Sequence, residues 1–399
     1  MAARKLRIGV LFGGRSGEHE VSLLSAASVL KAIDRTKYDV VPIAISKEGR
    51  WLTSGESQKL LSGYGAQENP RHLRAGDPES TPGAALLARG DSVIVPPEPG
   101  GQRHSLIPFE SGAAPEHRPA HQAIDVDVIF PVLHGTFGED GTIQGLLELA
   151  GIPYVGAGVL GSAAGMDKDV MKRLFAAAGL PIVKHVTVLR SQWEKEPKKV
   201  TKEIESKLKY PVFVKPANLG SSVGISKAHD RKELGPAIDL AASFDRKIII
   251  EQGVGGKMKK AREIECSVLG NDQPKASVAG EIVPVKEFYD YAAKYLDEGS
   301  ELLIPARLSK KLAKQVQQMA IDAFKAVDCA GLARVDFLLD PTSEKLYLNE
   351  INTMPGFTAI SMYPKLWTAS GLEYSKLIDQ LIQLALERHD EKARNSYNR

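Results

Sequence analysis

The chain has 399 residues, enough for two or three domains with sizeable cores, and its 43% hydrophobic and 25% charged shares are those of a globular protein rather than a disordered, collagenous or coiled-coil one. Fifty-two Lys and Arg against 49 Asp and Glu leave a formal charge of +3, and Lys257, Lys259 and Lys260 make only a short basic cluster, so neither nucleic acid nor a membrane is expected as partner. The two cysteines, Cys266 and Cys329, are far apart and lack Cys or His at ligand spacing, which excludes a disulfide framework and a zinc site and suits a reducing cytosol.

The N-terminal apolar run LRIGVLF at 6–12 goes straight into Gly13-Gly14, too short for a signal or a membrane span. A helical pattern through Val21, Leu24, Val29 and Ile33 follows, then the strand VVPIAI at 40–45, so a parallel sheet is expected. Residues 53–123 are rich in Gly, Pro, Ser, Glu and Arg, with one clear strand at 92–96, and read as an insertion on the first domain. The core resumes at DVDVIFPVLHG, with helices through Leu146–Leu149 and Met166–Ala178. Residues 182–250 read as a second α/β unit: strands IVKHVTVL, PVFVKP and KIIIE, with a glycine-serine loop after the second. Beyond Arg262 come strands, a polar aromatic loop at 286–300, a helix at 309–327, a hairpin and a closing helix. The expected division is an N-terminal α/β domain at 1–155, a central unit at 156–250 and a C-terminal unit at 251–399.

The most informative segment is the hairpin RVDFLLD and LYLNEIN. Side chains two apart on a strand share a face, so Arg334 goes with Asp336 and Glu350 with Asn352. With Arg334 opposite Glu350, two carboxylates and a carboxamide would converge, hard oxygen donors that suit Mg²⁺ completed by water and phosphate. The turn after it, Thr353-Met354-Pro355-Gly356, lets a backbone N–H approach an oxyanion. In Val214-Lys215-Pro216 and Asn218–Gly224, a lysine at a strand end precedes a Gly-Ser loop with amides and hydroxyls for phosphate oxygens; Lys168, at a helix start, is a second phosphate lysine. Glu251 could accept from an adenine amino group, with Gln252 and Val254 offering backbone groups. The first turn, Gly13-Gly14-Arg15-Ser16-Gly17-Glu18-His19-Glu20, departs from G-x-G-x-x-G, and its acids suit an ammonium better than a pyrophosphate; helix capping alone is the reading for Glu20.

The blocks GGRSGEHEVSL, LHGTFGEDGTIQGLLELAGIPYVG, MDKDVMK, VKPANLGSSVGISK, EFYDYAAKY, RVDFLL and NEINTMPGFT, in this order, resemble the D-alanine:D-alanine ligase family of ATP-grasp enzymes over nearly the whole chain outside the insertion. The resemblance implies an α/β three-domain fold with an N-terminal parallel-sheet domain, ATP between the central and C-terminal domains, two Mg²⁺ (Mn²⁺ as substitute), a homodimer, a cytoplasmic location and a role in peptidoglycan synthesis. It implies ATP contacts for Lys168, Lys215, Ser222, Glu251, Gln252, Val254, Glu263 and Phe288, and metal binding by Asp336, Glu350 and Asn352. Glu18 would bind the first D-alanine's ammonium, Ser361 and Lys294 the second's carboxylate, and Val21, His134 and Met362 would line the substrate pocket. Arg334 and the Gly356 amide would stabilise the oxyanion, while Glu18, Ser221 and Tyr295 would group at the attacking amine, under a lid at 286–300. A ligase using D-lactate or another D-amino acid is the alternative within the family, and Tyr295 argues for an amine nucleophile. A nicotinamide oxidoreductase would need an acid after the second strand, where Ile43-Ala44-Ile45-Ser46 has none, and a mere nucleotide-binding module would have no use for Arg334, Gly356 and Tyr295 together.

Overall fold

The computed structural model describes residues 4–53, 91–99, 104–108, 123–255, 260–283, 301–358 and 360–396. Three sheets organise them. The first runs in the order β6-β5-β4-β3-β2-β1-β7, from β1 (Leu6–Gly13), β2 (Tyr38–Ile45), β3 (Trp51–Thr53), β4 (Asp91–Ile94), β5 (His104–Pro108), β6 (Ile124–Val126) and β7 (Val128–Val132). Only its centre is parallel: β1 pairs parallel with β2 and β7, whereas β2-β3, β3-β4, β4-β5 and β5-β6 are antiparallel. The expected parallel pairing holds for β1, β2 and β7, within a sheet whose flank is antiparallel. Helix α1 (His19–Ala32) supplies the crossover that parallel pairing needs, but the tight turn from Ser46 to Arg50 can only reverse the chain. The region read as an insertion contributes β4 and β5 to this sheet, one strand more than its sequence suggested, and β4 stops ahead of Pro96 and Pro97, which have no N–H for a ladder.

The second sheet, in the order β10-β9-β11-β8, is antiparallel and joins β8 (His185–Leu189), β9 (Val212–Pro216), β10 (Ser226–Ala228) and β11 (Lys247–Gln252). Alternate residues Val186, Val188, Val214, Ile248 and Ile250 face Ile204 of α6 (Pro197–Lys207) and Ile238 of α7 (Arg231–Phe244), which follow a short α5 (Arg190–Lys195). The third sheet, β14-β13-β12-β15-β16, comprises β12 (Arg262–Gly270), β13 (Lys275–Val283), β14 (Glu301–Leu303), β15 (Gly331–Leu339) and β16 (Leu346–Asn352). Its core face takes Val316, Ala320 and Phe324 of α8 (Lys310–Ala326) together with Ala164, Met171 and Phe175 from α3 (Val159–Met166) and α4 (Lys168–Ala177), while α2 (Thr142–Leu149) packs beside the first sheet.

After α9 (Met362–Ala369), the long α10 (Tyr374–Ala393) returns to the first sheet. Its Leu377, Ile378, Leu381, Ile382 and Ala385 share one core with Ile8, Val10, Phe12 and Phe130. Both chain ends therefore stabilise one layer, and Phe357 and Tyr363 from the segment after the hairpin lie in the same core. That core is what fixes the position of the turn at Met354–Gly356 against the first sheet.

Candidate active site

The acidic hairpin is formed by β15 and β16. Its register sets Arg334 opposite Asn352 and Asp336 opposite Glu350, which corrects the expected pairing of Arg334 with Glu350. The physical reason is a bulge. From Phe337↔Leu348 the ladder steps to Asp336↔Glu350, leaving Asn349 as the extra residue. An unbroken ladder would set Glu350 opposite Val335, on the core face; the bulge restores the parity that brings Arg334, Asp336, Glu350 and Asn352 to one face. Arg334 grips both oxygens of Asp336, Nε to Oδ1 and Nη2 to Oδ2, each at 2.7 Å, and lies 3.0 Å from Glu265 Oε2 on β12. Asn352 Nδ2 donates to Asp336 Oδ2 at 3.0 Å. No group of three or more His, Cys, Asp or Glu forms a closed metal cage among the described residues. Two carboxylates and a carboxamide on one face nonetheless fit a hard cation that takes its remaining ligands from water and phosphate.

The lysines stand beside this face. Asp167 caps α4 by accepting the N–H groups of Asp169 and Val170, and Asn218 Nδ2 donates to the same carboxylate at 3.3 Å, so the cap also ties the helix to the Gly-Ser loop. Lys168 donates to Leu219 O at 2.8 Å and lies 3.9 Å from Glu350. Lys215 is 2.7 Å from Glu251 Oε2, and Lys172, fully buried, is 3.0 Å from Glu251 Oε1 and donates to Asn349 O at 3.0 Å. Lys172 thus satisfies the carbonyl that the bulge leaves unpaired. Burial would raise the Glu251 carboxyl, but Lys172 and Lys215 outweigh it and hold it at about 2. Burial pulls Lys172 below the ordinary lysine range; for Lys215 burial is outweighed by Glu251 and Glu350, which raise it. Both Glu251 oxygens therefore face lysines here rather than open space at the strand end. Gln252 accepts the Lys209 N–H at 3.0 Å, Val254 follows the end of β11, and Glu263 pairs across β12 with Ile282 and Leu338.

Glu18 precedes α1 without capping it by its side chain, and it is buried. A Cβ on Gly220 would sit 2.5 Å from Glu18 Oε1, so the Gly-Ser loop closes onto this carboxylate, and any side chain at 220 would have to displace it. Ser221 and Ser222 in that loop have φ of 50° and 59°, a left-handed strain of the kind concentrated at functional loops. Glu20, expected only as a cap, pairs with Lys47 at 2.6 Å, and Val21 is buried. His134 is buried as well. Its Nδ1–H donates to Met354 O at 3.1 Å, which leaves Nε2 to accept from Ser25 Oγ at 2.9 Å, and burial pushes its pKa down to about 4, so the ring is neutral. Glu139 accepts from Gly135 N–H at 2.7 Å and Met354 N–H at 3.2 Å; burial and then Glu18 push its carboxyl well above the usual carboxylate range. A cation bound at Glu18 would relieve that repulsion. Ser361 Oγ accepts the Thr358 N–H at 3.0 Å and would lie 2.7 Å from a Cβ on Gly356, beside the buried Met362.

Model regions of two protein families match the chain: the D-ala D-ala ligase N-terminus over residues 7–157 and the D-ala D-ala ligase C-terminus over residues 174–383. The chain belongs to the D-ala D-ala ligase family. It is 50% identical over 396 residues to a D-alanine–D-alanine ligase of Natranaerobius thermophilus, covering 98% of each chain. A Thermoanaerobacter relative of the same name is 52% identical over 392 residues, covering 98% of this chain and 99% of its own. Among solved structures, the D-alanine-D-alanine ligase of Coxiella burnetii superposes with a TM-score of 0.78 at 36% identity, covering 98% of this chain and 97% of that one. The VanG D-Ala:D-Ser ligase of Enterococcus faecalis superposes with a TM-score of 0.78 at 37% identity, over 96% and 100%. The fold is accordingly the ATP-grasp fold of this ligase family.

Of the residues named from sequence, the structure gathers Lys168, Lys215, Glu251, Arg334, Asp336, Glu350 and Asn352 around the hairpin, and Glu18 against the loop of Ser221 and Ser222. Phe288, Lys294, Tyr295 and the lid at 286–300 lie outside the described residues. Sequence reasoning missed Lys172, Glu139 and Glu265. Lys172 had a signal, since it follows Lys168 by four residues and so shares its helix face. Glu265 acquires its role only through strand pairing with Asp336.

Proposed function

We propose that this protein is an ATP-dependent ligase that activates one D-alanine as an acylphosphate and couples it to a second, releasing ADP and phosphate and providing the dipeptide of peptidoglycan. The observation that carries this reading is the closure of Gly220 onto Glu18: it sets a carboxylate suited to an ammonium against the loop and lysines suited to phosphate. A carboxylate cannot expel oxide, so the first D-alanine's carboxylate oxygen attacks the γ-phosphorus of ATP, the bond to the β-phosphate oxygen breaks, and the acyl carbon gains phosphate as a leaving group. Lys168, Lys215 and the Ser221-Ser222 loop hold the transferring oxygens. Gln252, Val254, Glu263 and Phe288 are assigned to the rest of the nucleotide, and Glu251 acts by holding Lys215.

Asp336, Glu350 and Asn352 would hold two Mg²⁺, replaceable by Mn²⁺, which when bound neutralise phosphate charge. In the second step the amine of the other D-alanine attacks the acyl carbon, the C–N bond forms and phosphate departs. Arg334 and the Gly356 N–H receive the oxyanion, Ser361 and Lys294 the carboxylate of the incoming D-alanine, and Glu18, Ser221 and Tyr295 take part in removing the amine proton. Val21, His134 and Met362 shape the pocket. A homodimer in the cytoplasm completes the proposal; no helix among the described residues is long and apolar enough to cross a membrane. The test is mass spectrometry after incubation with ATP, Mg²⁺, D-alanine and equimolar D-lactate. D-alanyl-D-alanine with matching ADP, and no ADP with L-alanine alone, is expected; ADP release independent of D-alanine, or a depsipeptide as main product, contradicts it.

A further inference from the structure

Met354 lies two residues before Gly356, and both of its backbone polar groups are held by one short stretch of the first module. Its carbonyl accepts from His134 Nδ1 at 3.1 Å, and its N–H donates to Glu139 Oε1 at 3.2 Å. The other Glu139 oxygen, Oε2, accepts the Gly135 N–H at 2.7 Å, so one carboxylate bridges two backbone segments that are more than two hundred residues apart in the chain. Phe357 N–H, on the far side of the turn, donates to Ser25 Oγ at 3.2 Å. Between Met354 and Phe357, Pro355 has no N–H, and the Gly356 N–H is bonded to no protein acceptor among the described residues. The turn is therefore pinned on both sides of a single available donor.

A carboxyl group can accept at both of its oxygens, as Glu139 does here. Glutamine has the same shape but one acceptor, so in its place either Gly135 or Met354 would face an NH₂ group. We propose that Glu139 is a positioning residue for the coupling step: by bridging Gly135 and Met354 it sets where the Gly356 N–H points. The inference rests on the ligase reading above, in which that N–H receives the oxyanion formed when the amine attacks. Phosphoryl transfer, which depends on Lys168, Lys215 and the acidic hairpin, does not use the Gly356 donor, so the two half-reactions should separate.

The experiment compares the wild type with Glu139→Gln and Glu139→Asp, using ATP labelled with ¹⁸O at the β,γ-bridge and D-alanine. Acylphosphate formation is reversible, so scrambling of the bridging label into the β-nonbridging positions reports the first step, and dipeptide reports the second. In Glu139→Gln, dipeptide formation is expected to fall at least about tenfold while label exchange stays within about twofold, the scale of effect for a displaced oxyanion donor. Glu139→Asp keeps two acceptor oxygens on a shorter arm and should fall between; it carries the same test should the Gln variant not fold. Equal loss of exchange and coupling in the variants, or a Gln variant that couples at the wild-type rate, overturns the inference. A wild type that shows neither exchange nor dipeptide overturns the ligase reading itself, and the inference with it.

Discussion

His134 shows how burial changes what a residue can do. The resemblance assigns it to the substrate pocket, and in the fold it is also a buried tie between Ser25 on α1 and the Met354 carbonyl, held neutral with a pKa of about 4. Its ordinary value is 6.5, so below that pH the unfolded chain takes up a proton that the native state refuses until about pH 4. Native stability is therefore lost as pH falls through this window, by about 2 kcal/mol between pH 7 and pH 5 from this residue. Urea unfolding at the two pH values should show the wild type losing about 2 kcal/mol more than His134→Gln, and equal losses would contradict the assignment. At the same scale, Glu18 stands in a glycine turn whose acids suit an ammonium, and its side chain makes no cap bond, so capping does not account for it. Lys172 was harder to read, since a buried lysine is uncommon and its partners Glu251 and Asn349 come from other elements.

Elements place these residues by rules of different range. The hairpin of β15 and β16 was visible in its alternation, which depends only on neighbouring residues, and so was the sharing of a face by Arg334 and Asp336. Its register was not visible, because the bulge at Asn349 is settled by contacts with Lys172, far away in sequence. The same reason hid β5 and the antiparallel part of the first sheet: His104–Pro108 is short and weakly patterned and becomes a strand by pairing with β4 and β6. The Gly-Ser loop was recognisable from composition, but not that Gly220 abuts Glu18. A methyl group there would meet Glu18 Oε1 at 2.5 Å, the far end of a flexible side chain, so Gly220→Ala should displace the carboxylate at little cost in stability. Steady-state kinetics should then show the KM for D-alanine raised by about tenfold with the KM for ATP changed less than about twofold, a loss of binding near 1.4 kcal/mol. An unchanged D-alanine KM would contradict the contact's role.

Across the whole molecule, the placement of the cleft depends on contacts between segments distant in sequence. Helix α10, the last element, covers the first sheet, and Met354, Phe357 and Tyr363 enter that same core, so the turn that follows the acidic hairpin is anchored to the module that carries Glu18 and His134. Lys168 reaches the Gly-Ser loop of the second sheet and approaches Glu350 of the third. Ordered motifs in the sequence indicated which residues belong together; no local pattern could have indicated the anchoring by α10, which joins opposite ends of the chain. On the proposed reading, the three modules together form one phosphate-transfer cleft. A crystal structure with a non-hydrolysable ATP analogue and Mg²⁺ should place the triphosphate within hydrogen-bond reach of Lys168 and Lys215, with metal density at Asp336, Glu350 and Asn352. A nucleotide bound away from that hairpin, with no metal on those side chains, would contradict it.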